Sequence, residues 1–95
     1  MRSVQLEGEA GKQLKAIGVS FEDFDELMYF IEETLCKMPE MFPVIPGTKL
    51  SICLTNEFVG SQYPHVPALA LYFYYDYDTV RVIAIEESMM DSYGF

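Results

Sequence analysis

The apolar period of this chain changes once, and that change limits what it can fold into. Up to Met38 the hydrophobic residues recur every three to four positions, the spacing of a helix face. Beyond Gly47 they alternate with polar residues or run together, as strands do. Between the two lies Pro39-Glu40-Met41-Phe42-Pro43-Val44-Ile45-Pro46-Gly47. Three prolines and a glycine so close together make a connecting loop.

The helical half begins with a short edge strand, in which Val4 and Leu6 alternate with polar neighbours. Glu9 to Ile17 reads as a helix with Ala10, Leu14 and Ile17 on one side, ended by Gly18. A second helix starts at Ser20, whose hydroxyl suits the N-cap, and Glu22 and Asp23 favour its positive end. Phe21, Phe24, Leu27, Met28, Ile31, Leu35 and Met38 form its expected apolar stripe. Glu22, Asp25, Glu26, Tyr29 and Glu33 fall opposite, and Pro39 stops it.

In the strand half, Leu50, Ile52 and Leu54 alternate with Lys49, Ser51, Cys53 and Thr55, which predicts a strand buried on its leucine–isoleucine side. Asn56 to Pro67 reads as a loop. Ala68 to Tyr75 is almost wholly apolar and suits a central strand. Asp76-Tyr77-Asp78 makes a turn, Val80 to Glu86 a last strand, and Ser88 to Phe95 a frayed tail. Alternation along the last strand puts Val80, Val82 and Ala84 on one side and Arg81, Ile83 and Ile85 on the other. A helical hairpin with an apolar stripe must cover one face of this meander. The expected architecture is therefore α+β: a two-layer sandwich of an N-terminal helical hairpin on a three- to four-stranded antiparallel sheet. Residues 1–95 form one domain, with no internal repeat.

Composition narrows the chemistry. Seven Phe and seven Tyr supply a core and argue against disorder. The longest apolar run, Val66 to Tyr75, is about half the ~20 residues a spanning helix needs, so no membrane segment is expected. The first residues lack the apolar stretch of a secretory signal, so a cytoplasmic location is expected, with Cys36 and Cys53 as free thiols. One histidine and no CxxC pair predict no zinc site, and no cofactor is expected. The net charge of −9 repels phosphate backbones and anionic membranes, so direct nucleic-acid binding is not expected. That charge suits a basic protein partner, and it equally suits plain solubility.

The order of edge strand, helical hairpin and three-stranded meander resembles the RelE/ParE toxin superfamily. Ala10-Gly11-Lys12-Gln13-Leu14-Lys15-Ala16-Ile17-Gly18 is similar to that family's first helix. Ile45-Pro46-Gly47-Thr48-Lys49-Leu50 is similar to its approach to the second strand. Ala70-Leu71-Tyr72-Phe73-Tyr74-Tyr75-Asp76 and Val80-Arg81-Val82-Ile83-Ala84-Ile85 resemble its closing hairpin. The resemblance implies a type II toxin that cuts mRNA on the ribosome or poisons gyrase, held inactive by a small antitoxin. By that resemblance Arg81, Lys49 and Tyr93 are the candidate catalytic residues.

The residues themselves point away from cleavage. Lys49 and Arg81 are the only Lys or Arg after Met38, and Glu86 and Glu87 stand where the family often carries bases. Cutting RNA needs positive charge for the phosphorane and the backbone. Arg81 reads either as an anion-binding remnant or as half of a salt bridge to Glu57 or Glu86. Lys49 reads as a partner or weak phosphate contact or, more plainly, as a solvated strand residue. His65, between Pro64 and Pro67, reads as a general base near neutral pH or, more plainly, as a turn residue. Cys53 is expected on the polar face of its strand and Cys36 on the polar side of its helix, without a base to activate either.

Protein contact is the remaining class. Glu22, Asp25, Glu26 and Glu33 read as a docking face for a basic partner or as an ordinary solvated helix surface. Alternation along the central strand puts either Tyr72 and Tyr74 or Phe73 and Tyr75 on the open face; the exposed set, with Tyr72 and Tyr74 as the candidates, reads as a contact surface, a self-contact included, or as core. The expected function is a toxin-fold protein acting mainly by binding protein, its partner an antitoxin. The rival is an acidic inhibitor of a basic protein such as a nuclease.

Overall fold

A computed structural model describes residues 2–55 and 68–87. The expected loop of Asn56 to Pro67 and the tail of Ser88 to Phe95 lie outside the described residues. The elements run β1 (Ser3–Leu6), α1 (Gly8–Ile17), α2 (Phe21–Phe30), a π-helical turn (Ile31–Leu35), a 3-10 turn (Pro39–Met41), β2 (Ser51–Leu54), β3 (Leu69–Tyr75) and β4 (Thr79–Glu87). The strands form one sheet in the order β1-β4-β3-β2. β2, β3 and β4 make an antiparallel meander, and β1 adds to it in parallel, with Val4 beside Val80 and Leu6 beside Val82. The fold is α+β: the two helices cover one face of the sheet, in two layers. No helix among the described residues is long and apolar enough to cross a membrane.

Local chemistry sets the helix ends as the sequence predicts. Gly18 takes the left-handed conformation (φ 82°) and its N–H closes on the Lys15 carbonyl. The Ser20 hydroxyl accepts the Asp23 N–H at 3.2 Å. α2 then departs from the simple pattern. The Cys36 N–H reaches the Ile31 carbonyl, five residues back, at 3.1 Å. This π turn adds a residue to one helical turn and rotates the residues after it. Cys36 is therefore buried beside Leu35, and not on the polar side of its helix as the 3.6-residue period predicts. By the same rotation Met38 leaves the stripe and is exposed. Phe21, the first residue of α2, leaves it too, 87% exposed.

One core lies between the layers. Leu14, Leu27, Phe30, Ile31 and Leu35 pack from the helices against Leu69, Leu71, Phe73, Val80, Val82 and Ile85 of the sheet. Removing a ring such as Phe30 or Phe73, both buried, costs about 3–5 kcal/mol.

Two sheet details correct the expected alternation. In β2 the buried side carries Ser51 and Cys53, with Thr55 after them, while Ile52 and Leu54 are half-exposed. Pairing with β3 sets this phase: Ser51 lies beside Phe73 and Cys53 beside Leu71, both core residues. The small side chains of β2 leave room for Phe42, which packs edge-on to Phe73 at 5.7 Å. Thr55 satisfies its burial by accepting the Leu69 N–H at 2.8 Å. The second correction is a β-bulge. Tyr72 pairs with Ala84 but Phe73 with Val82, so Ile83 is an extra residue in β4. Ile83 and Ala84 both turn from the core, and Ile85 joins Val80 and Val82 inside it, not Arg81 outside. The Ile85 N–H is taken by the Gln13 side-chain oxygen of α1 at 2.6 Å.

Candidate functional site

The sheet has a second face, away from the helices. β2 gives it Ile52 and Leu54, β3 gives Ala70, Tyr72 and Tyr74, and β4 gives Arg81, Ile83, Ala84 and Glu86. Their registers align them in three rows. Tyr74 sits beside Arg81; Ile52, Tyr72 and Ala84 form the middle row; Leu54, Ala70 and Glu86 form the third. Tyr74 is 36% exposed, Ile52, Leu54, Tyr72 and Ile83 are half-exposed, and Ala70 is buried. The face is thus apolar and aromatic in its middle, with a cation at one end of β4 and carboxylates at the other.

Both charged ends have polar neighbours within the chain. Arg81 Nη1 meets Glu7 Oε1 at 3.5 Å, both side chains well solvated. The Arg81 partner is therefore Glu7, 74 residues earlier, and not Glu86; Glu57 lies outside the described residues. Such an exposed pair stabilises by about 0.2–1 kcal/mol at most. The Glu86 carboxylate lies near the Tyr72 phenol. Burial first, then the Glu86 charge and its polar contact with the phenol, push that phenol above its ordinary value, so Tyr72 stays neutral.

The three candidate catalytic residues do not assemble. Lys49 is exposed ahead of β2, on the far side of β3 from Arg81. Tyr93 and His65 lie outside the described residues. Among the described strands Arg81 is the one cation. Among the described residues no cluster of three His, Cys, Asp or Glu could hold a metal. Both cysteines are free thiols and buried. Cys53 faces the core and not the polar side of its strand. Burial, and next the Glu32 charge, push the Cys36 thiol up, against Arg2. That leaves it a poor nucleophile.

The acidic helix face is only partly free. Glu22 and Asp25 are exposed, whereas Glu26 is half-buried and Glu33 bonds Lys37 at 2.5 Å. Beside it an apolar groove of about 370 Å3 opens between the helices, lined by Leu6, Leu14, Val19, Phe21 and Phe24 with Gly11 and Lys15. A wider, more polar hollow is lined by Arg2, Cys36, Lys37 and Tyr77. Arg2 is committed there to structure: it donates to the Asp76 carbonyl at 2.7 Å and the Cys36 carbonyl at 3.1 Å, and lies over the Tyr75 ring. Sequence reasoning overlooks Arg2, Glu7 and Gln13, whose partners are long-range. Glu86 is legible as a carboxylate at a strand end but not as the Tyr72 neighbour.

No family model, curated protein or solved structure matches this chain.

Proposed function

We propose that this protein works by contact with another polypeptide, as a RelE/ParE-like toxin-fold member of a type II toxin–antitoxin pair. The observation that carries the protein-contact reading is electrostatic. Arg81 is the one cation of the described strands, with the Glu7 carboxylate beside it, and the rest of the open sheet face is tyrosine, isoleucine, leucine, alanine and carboxylate. Such a surface suits a polypeptide and repels a phosphate chain. The toxin reading draws support from the element order alone: edge strand, helical hairpin, meander.

The test is induced expression in a bacterial host with and without the product of the neighbouring gene. The expected result is growth arrest relieved by that product, with ribosome-bound message intact. Cleavage of that message at ordinary turnover would overturn the protein-contact reading. No arrest at any expression level would remove the toxin role.

One observation favours a second reading. Phe21 to Cys36 carries Glu22, Asp23, Asp25, Glu26, Glu32 and Glu33 with no base. That suits an acidic inhibitor seated on a basic protein such as a nuclease. A pulldown in which a basic nuclease is the main catch, released by salt, selects this reading; capture of an antitoxin selects the first.

A further inference from the structure

We infer that the open sheet face is self-complementary and joins two copies of this chain, stacked sheet on sheet about a two-fold axis. The inference deepens the protein-contact reading and rests on it.

The three rows are arranged so that the face matches itself. Take an axis lying in the interface, perpendicular to the strands and along the Ile52–Tyr72–Ala84 row. Rotation about it reverses the strand direction and keeps each strand over its own copy. The middle row then meets itself. The Tyr74–Arg81 row meets the Ala70–Glu86 row of the second copy, and the reverse holds by symmetry. Arg81 is set against Glu86. Along β4 these two stand about 15 Å apart, so both ion pairs form at once at the two ends of an apolar strip. Sheets stack about 10 Å apart, a gap that tyrosine, isoleucine and leucine fill.

Charge leaves few alternatives for a self-contact. Each copy carries −9, so most orientations bring like charges together. On this face the signs are segregated along β4 and cancel across the axis. The Glu7 tether does not block the exchange, because that pair is long and solvated.

Sedimentation velocity over a range of protein concentrations tests the inference, on the wild type and on Arg81→Glu, Glu86→Arg and the double exchange. The expected result is a wild-type dimer, a dissociation constant raised ~tenfold or more by either single reversal, and recovery in the double variant. All changes lie at partly or fully exposed positions, and an unchanged circular-dichroism spectrum confirms the fold. Tyr74→Lys, which adds a charge at an exposed position of the strip, is expected to be monomeric as well. A monomeric wild type overturns the inference, as do single reversals without effect or a double variant that stays apart. A wild type that dimerises but neither arrests growth nor captures a partner supports the self-contact and removes the function proposed above. A monomeric wild type that arrests growth does the opposite.

Discussion

The phase of β2 is the least expected feature of the sheet, because the hydrophobic pattern argues against it. Cys53 is fully buried beside Leu71, and Leu54, the larger apolar residue, is half-exposed. Consider an aspartate at each position in turn. At position 53 the carboxyl must either ionise in the core or take up a proton, and neither form finds water. The expected cost is about 3–5 kcal/mol, a large part of the 5–15 kcal/mol that holds a domain together. At position 54 the carboxylate reaches solvent, and the loss is about 1 kcal/mol from strand propensity and partial burial. Urea unfolding followed by far-ultraviolet circular dichroism separates the two. With a slope near 1–1.5 kcal/mol/M, the midpoint of Cys53→Asp should lie about 2 M below that of Leu54→Asp. Both belong in the Arg81→Glu background, so that association does not add to stability. If Leu54→Asp proves the more damaging, β2 is slipped by one residue, which exchanges every side chain between its faces. The three-row surface would then be wrong as well.

Four further outcomes are expected. Gly11→Ala should raise stability by about 0.5–1 kcal/mol, read as a higher melting temperature, since Gly11 is helical and an added Cβ meets nothing within 4 Å. Ser20→Ala should lower it by about 1 kcal/mol through loss of the bond to the Asp23 N–H, read by urea titration. Cys36 and Cys53 should both resist a disulfide reagent at pH 8 in the native protein and react together on unfolding; rapid labelling of either in the folded state contradicts its burial. Asp76 accepts the Thr79 and Asp78 N–H groups and the Thr79 hydroxyl, which hold its carboxyl below the ordinary 3.8. A depressed value stabilises the fold above pH ~4 and loses that contribution as pH falls through the lower folded value. Asp76→Asn should therefore flatten the acid limb of the stability profile, measured by urea midpoints between about pH 2 and 6.

Local rules made much of the fold legible. Gly18 and Ser20 bracket the turn between the helices where their chemistry requires. The last hairpin lies within a residue or so of its expected bounds, at Leu69–Tyr75 and Thr79–Glu87. The rest depended on choices between distant parts of the chain. Ser51 and Cys53 face the core because Phe73 and Leu71 do. The bulge at Ile83 leaves no mark in a Val-Ile-Ala-Ile run. The π turn hides inside a stripe that reads well as ordinary helix. The candidate surface was half legible: the tyrosines announced themselves, but their neighbours did not. Glu7 as the Arg81 partner, and Ile83 and Ala84 on one face, come from long-range pairing and the bulge.

The parallel pairing of β1 with β4 has a consequence for how this chain is born. Residues 3–6 are made long before their partners at 79–82, which belong to the last of the described strands. Val80, Val82 and Ile85, against which the helical half packs, arrive equally late. During synthesis the hairpin must therefore wait with its oily stripe uncovered until β4 is made, and closure over so long a sequence separation is slow. A stalled or truncated product that ends before Thr79 would carry that stripe bare, a natural target for chaperones and proteases.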